Sequence, residues 1–120
     1  MAKFDPEAFS AAWNRHDLDA IMAMSSEDCD FFASAGAAPS GAAFHGQEAV
    51  RAAYQGIFDM FHDAQWSNSR STWLGPDRVL TEWQFHATKP DGITLRVDGL
   101  DILELAGDKV RVKNSFRKSM

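Results

Sequence analysis

The stretch Gln47-Glu48-Ala49-Val50-Arg51-Ala52-Ala53-Tyr54-Gln55-Gly56-Ile57-Phe58-Asp59-Met60-Phe61-His62-Asp63-Ala64-Gln65-Trp66-Ser67-Asn68-Ser69-Arg70-Ser71-Thr72-Trp73-Leu74 changes its period in the middle, and the change decides the fold. Up to Phe61, the residues Val50, Ala53, Tyr54, Ile57, Phe58 and Phe61 fall on one helical face, with Glu48, Arg51, Gln55 and Asp59 on the other. After His62-Asp63 the residues alternate with a period of two, as a strand requires. Downstream, Gly75-Pro76-Asp77, Lys89-Pro90-Asp91-Gly92 and Ala106-Gly107-Asp108 are turn sequences that divide the remainder into three more β segments. Upstream, Asp5-Pro6-Glu7 starts a helix carrying Phe9, Ala12 and Trp13, and Asp17 can cap a second, short one. Cys29 to Ala33 is long enough for one strand, and Ser34 to Gly46, rich in Ala, Gly, Ser and Pro, reads as a loop over a mouth. Three helices followed by an antiparallel meander make an α+β domain.

The 120 residues leave room for one domain, 1–120. With 45% apolar and 24% charged residues the chain is neither disordered nor rod-like. Nine Phe, four Trp and one Tyr are more rings than a solid core of this size needs, which points to an aromatic-lined pocket for an apolar small molecule. A net charge of -5 with scattered basic residues argues against nucleic acid. No long apolar run suggests a membrane segment or leader, so a cytoplasmic protein is expected. A single Cys29 forbids an internal disulfide. The four His have no metal-ligand spacing, and no phosphate loop or nucleophile elbow occurs, so neither metal nor cofactor is expected.

Strict alternation assigns the apolar face of the sheet. It takes Thr81, Trp83, Phe85 and Ala87 on one strand, Leu95, Val97, Gly99, Asp101, Leu103 and Leu105 on the next, and Val110, Val112, Asn114 and Phe116 on the last. Asp101 and Asn114 are then polar groups among apolar neighbours. A desolvated Asp101 can abstract a proton next to a carbonyl near neutral pH, or it can accept bonds within the fold and simply fix the sheet. Asn114 can orient a ligand carbonyl or hold Asp101. His45, at the end of the loop, and Tyr54 are further candidates to hold an oxyanion. Trp13, Phe32, Tyr54, Phe58, Phe61, Trp83, Phe85 and Phe116 are the ring set from which pocket walls would come.

Trp13-Asn14-Arg15-His16-Asp17-Leu18-Asp19-Ala20-Ile21, Phe44-His45-Gly46-Gln47-Glu48-Ala49-Val50-Arg51 and Val97-Asp98-Gly99-Leu100-Asp101-Ile102-Leu103-Glu104-Leu105-Ala106-Gly107-Asp108-Lys109-Val110 resemble the SnoaL-like branch of the nuclear-transport-factor-2-like (ketosteroid isomerase-like) superfamily. The resemblance runs over nearly the whole chain. It implies a cone-shaped barrel, with three N-terminal helices in the concave face of a curved, mostly antiparallel sheet, a pocket between them and frequent dimerisation. It leaves the reaction open, because the fold hosts isomerases, cyclases, dehydratases, hydrolases and binding domains. The tyrosine and carboxylate of ketosteroid isomerases match Trp13 and roughly Ala33. The Arg–Asp–Asp set of limonene epoxide hydrolases matches Trp83, Phe85 and Asn114, so neither constellation is present. SnoaL-type cyclases use an Asp and a His in the cavity, residue types that Asp101 with His45 or His86 can supply.

Two functions follow. One is a cofactor-independent isomerase-, cyclase- or lyase-like enzyme for an apolar carbonyl metabolite, with Asp101, Asn114 and His45 as its working residues. The other is a non-catalytic ligand-binding or dimerisation module. Alternation also puts Leu80, Leu100 and Ile102 on the outer face, rimmed by Glu82, Arg96, Asp98, Glu104, Arg111 and Lys113, which predicts a homodimer through the sheet.

Overall fold

The computed structural model describes residues 3–119. Helix α1 (Pro6–Asn14) starts as its sequence dictates: Asp5 accepts bonds from the Glu7 and Ala8 amides, and Pro6 occupies the first turn. It buries Phe9, Ala12 and Trp13. Asp17 caps α2 (Leu18–Ala23) through the Ala20 amide, and α3 (Gly46–Met60) buries Val50, Tyr54 and Phe58 at four-residue spacing.

The six strands are β1 (Ser25–Phe32), β2 (Ala43–His45), β3 (Gln65–Gly75), β4 (Arg78–Thr88), β5 (Thr94–Ala106) and β6 (Lys109–Arg117). They lie in the order β2-β1-β6-β5-β4-β3, and β1 beside β6 is the parallel pair in an otherwise antiparallel sheet. The α+β cone with N-terminal helices is the expected one. Two features differ from the sequence reading. Strand β1 begins at Ser25, because its polar first half pairs alongside Val110, and the loop contains β2, which pairs Ala43–His45 with Asp30–Phe32. The loop doubles back tightly at Gly41, where a Cβ would sit 1.9 Å from the Ala33 carbonyl oxygen and φ is +80°.

Two β-bulges set the faces of the sheet. On β3 the register slips between Ser67 and Arg70, with Asn68 at φ 56°, a left-handed value that Asn tolerates. Trp66 then lies opposite Phe85 and Trp73 opposite Val79, so both indoles pack inward although seven residues apart. On β6, Leu105 pairs with Val110 but Glu104 with Val112, leaving Arg111 as the extra residue. Its guanidinium reaches across to Asp28 (3.1 Å) and Asp30 (2.7 Å) on β1. Beyond that point every side chain changes face. Val110, Lys113 and Ser115 are buried, whereas Phe116 is 48% exposed and Asn114 pairs with Ile102 on the outside. This corrects the alternation of Val110, Val112, Asn114 and Phe116 on one face. It also removes Lys113 from the outer rim.

Candidate functional site

The concave face of the sheet and the helices enclose a cavity of about 360 Å³. Trp13 from α1, Phe31 from β1, Ile57, Met60 and Phe61 from and just after α3, and Trp66, Trp83 and Phe85 from the sheet make its apolar wall. Ala33, Ser34 and Ala35, where the loop leaves β1, complete it. Against this wall runs one polar stripe: Lys113, Ser115 and Arg117, alternate residues of β6 turned inward by the bulge.

Lys113 and Ser115 share a buried network with Asp101, which faces Ser115 across the β5–β6 ladder. Lys113 Nζ donates to Ser115 Oγ at 2.9 Å and stands 3.3 Å from Asp101 Oδ1. The Ser115 hydroxyl donates to the same Oδ1 at 2.5 Å, and Trp83 Nε1 donates to Oδ2 at 3.0 Å. The ammonium also lies over the rings of Trp13 (4.5 Å) and Phe31 (5.0 Å), an attraction that favours its charged form. Burial works the other way. It pushes the Lys113 pKa below the ordinary lysine value, with Asp101 opposing. Asp101 itself does not line the main cavity; it opens on a recess of about 20 Å³, shared with Trp13, Trp66, Trp83 and Lys113, that has room for little more than a water molecule. Ser115 and Lys113 therefore stand between Asp101 and a ligand. Trp13 Nε1 is buried without a hydrogen-bond partner among the described residues, so a donor at this wall is left unused by the fold.

Gly99 makes the arrangement possible. A Cβ there would lie 2.4 Å from two atoms of the Trp83 indole and 2.6 Å from the Phe116 carbonyl oxygen. Replacing Gly99 by valine is expected to displace the indole, separate it from Asp101 and cost about 1–3 kcal/mol in urea unfolding. An unchanged midpoint together with unchanged tryptophan fluorescence would show that Trp83 is not held by this contact.

The residues proposed from sequence fall into three groups. Asp101, Trp13, Trp83, Phe85 and Phe61 converge on the cavity or its recess. Tyr54 and Phe58 are core side chains behind the wall. Tyr54 packs against Trp13 and Phe31 and Phe58 stacks on His16, and burial, then the negative charge of Asp101, pushes the Tyr54 phenol well above its ordinary value. Asn114, Phe116 and Phe32 lie off the cavity, the first two turned outward by the bulge and Phe32 paired with Asn114 and Ala43. His45 is off it too. Its ring is 70% exposed and bonds Asp30 Oδ1 at 2.6 Å, and although burial raises Asp30, Arg111 and His45 outweigh that and hold its carboxyl below the usual range. Sequence reasoning missed Lys113, Ser115, Arg117, Phe31 and Trp66. On β6 no residue type flags the bulge, so only the polar run Lys113-Asn114-Ser115 hinted that one side of the strand must bury polar groups.

Cys29 is buried and burial raises its pKa, so it is an inert thiol. Among the described residues no three His, Cys, Asp or Glu gather as a metal would require, and no helix is long and apolar enough to cross a membrane.

Helices and a curved sheet thus form a cone around an apolar cavity with a few convergent polar groups. This chain belongs to the SnoaL-like domain family, whose pattern it matches over residues 7–112. It is similar in structure to a protein of Xanthomonas campestris pv. campestris named provisionally as a polyketide cyclase, with 21% identity over 92% of this chain and 84% of that one and a TM-score of 0.81. An NTF2-like protein of Anabaena variabilis superposes with a TM-score of 0.79 and 19% identity, over 95% and 84% of the two chains. So does a protein with a ketosteroid isomerase-like fold from Catenulispora acidiphila, in complex with trimethylamine, at 0.79 and 17% over 92% and 82%. At such identities the likeness carries the fold and nothing finer. No curated protein matches the chain in sequence.

Proposed function

We propose that this SnoaL-like protein is a cofactor-independent enzyme that moves a proton at the carbon next to a carbonyl group of an apolar metabolite. One observation carries the reading: Lys113, Ser115 and Asp101 form a buried, continuous acid–base chain that opens on an aromatic-walled cavity. A substrate carbonyl at the floor would accept from Lys113 Nζ, which offsets the charge of the developing enolate in a place where water does not screen it. Ser115 Oγ takes the proton from carbon as its own passes to Asp101 Oδ1; the reverse transfer to another carbon completes an isomerisation, and where the enolate carbon first attacks a second carbonyl of the same substrate, the reverse transfer to the new alkoxide oxygen completes a ring closure. Lys113 thus has the role first given to Asn114, and Asp101 remains the proton acceptor, acting through Ser115. The cyclase named for the Xanthomonas relative is compatible with this chemistry.

The second reading, a binding module without turnover, is favoured by the satisfaction of Asp101: both carboxylate oxygens already have donors in the protein. Exchange of the α-hydrogens of 2-tetralone in deuterated buffer, followed by NMR, separates the two. The wild type is expected to accelerate exchange above buffer. Asp101→Asn should lower that by about 10²-fold or more while the ketone still binds. A wild type no faster than Asp101→Asn leaves only the binding module.

A further inference from the structure

The large cavity holds two cationic side chains and, among the described residues, no acidic one. Lys113 is neutralised by Asp101 from behind. Arg117 is not. Among the described residues its guanidinium has neither a carboxylate within ion-pair distance nor a side-chain hydrogen bond, and what it has is the face of Phe85, 4.9 Å away. Burial lowers its pKa, a sign that the group has given up part of its hydration without an anion in return. An arginine in that condition at the wall of a cavity is poised for an oxyanion, since its planar fork matches a carboxylate in two parallel bonds while its ring contact fixes the plane.

Its place along β6 adds a ruler. Lys113 and Arg117 are four residues apart on the same face, so their Cα atoms are separated by roughly 13 Å. Between them lie Ser115 on the strand and, around the same cavity, the rings of Trp83, Phe85, Phe61 and Trp66. Gly99, directly opposite Arg117 in the ladder, presents no side chain, and the Trp83 indole fills the space beside it as part of the cavity wall. The exposed Met60 and the loop residues Ser34 and Ala35 mark the outlet of the cavity.

We infer that the ligand is an apolar organic acid: a ring body between the aromatic walls, a carboxylate or equivalent anionic group on Arg117, and a second oxygen toward Lys113 and Ser115. The inference rests on the reading of this cavity as a substrate site and names the substrate class. Uncompensated positive charge excludes a cationic guest and discriminates among neutral ones only by shape. An anion gains the charge-assisted bonds that a neutral isostere lacks.

Titration calorimetry with 2-naphthoate and with its neutral isostere 2-acetonaphthone tests it on the intact chain. The wild type is expected to bind 2-naphthoate about tenfold or more tighter, and to lose part of that advantage in high salt. Arg117→Gln should remove the preference, weakening 2-naphthoate about tenfold and leaving 2-acetonaphthone within about twofold. Arg117→Lys, which keeps the charge and loses the fork, should fall between, and near-UV circular dichroism checks that both variants keep the wild-type fold. Equal affinities in the wild type, or an Arg117→Gln variant that weakens both compounds alike, overturn the anion site and leave the cavity reading standing. Failure of both compounds to bind overturns the cavity reading and this inference with it.

Discussion

Lys113→Met is expected to lower the stability of the fold by about 3–5 kcal/mol, nearer the lower figure, while Lys113→Met combined with Asp101→Leu costs far less. Methionine keeps most of the lysine stem, so the loss is not one of packing. It arises because Asp101, only 9% exposed, loses its counter-ion and is left with Ser115 and Trp83 as its remaining donors. Removing both partners removes the uncompensated charge. Urea unfolding of the wild type, the single variant and the double variant measures this directly, and a single variant as stable as wild type would mean that the pair is not closed in solution. The pH dependence has a definite sign. The folded pKa of Lys113 lies below the ordinary 10.5, so between the two values the unfolded chain holds the extra proton and wild-type stability rises with pH. Lys113→Met lacks that rise. Tyr54 acts oppositely: its folded value lies well above 10.0, so above about pH 10 the unfolded chain loses the phenol proton first and stability falls. Tyr54→Phe should flatten that alkaline loss.

The fold was legible because helix and strand periods do not resemble each other, and the switch at His62-Asp63 and the turns at Gly75-Pro76, Pro90-Asp91-Gly92 and Gly107-Asp108 leave few alternatives. Asp101 was legible as well, since nothing interrupts the alternation of β5 between Leu95 and Leu103. What failed was the last strand. One extra residue at Arg111, held by Asp28 and Asp30 some eighty positions earlier, exchanges Asn114 and Phe116 for Lys113 and Ser115. Such a bulge is a tertiary event. Its cause lies on another strand, and the strand that carries it still reads as strand. The bulge at Asn68 has the same effect on Trp66 and Trp73, with a local hint in the tolerance of Asn for positive φ.

The same slip of register enlarges the outer face of the sheet, and with it the case for association. Leu80 pairs with Ile102 and Glu82 with Leu100, as alternation requires, and the bulge adds Phe116 beside Leu100 and Asn114 beside Ile102. Phe116, 48% exposed, is an expensive side chain to leave in water. Leu100 and Phe116 line a shallow depression with Glu82 and Asp98, while Arg70 and Arg96 lie on the strands around them, so an apolar centre carries a rim of both signs. We propose that a second copy of the chain covers this face, because a surface with both charges at its edge is complementary to itself under a twofold rotation. With Lys113 buried, the basic residues around this face include Arg70, Arg96 and Arg111, together with Arg117 and Lys118 at the depression itself. Ile102→Glu places a charge at the centre of the patch, where pairing two copies would desolvate it twice, and this should shift sedimentation equilibrium from dimer to monomer at concentrations where the wild type is fully associated. Ile102 itself does not line the cavity, although Ser34 and Arg117 border both the cavity and the outer depression, so 2-naphthoate binding should survive the substitution. A wild type that remains monomeric at high concentration refutes the dimer, and a dimer indifferent to Ile102→Glu puts its interface elsewhere.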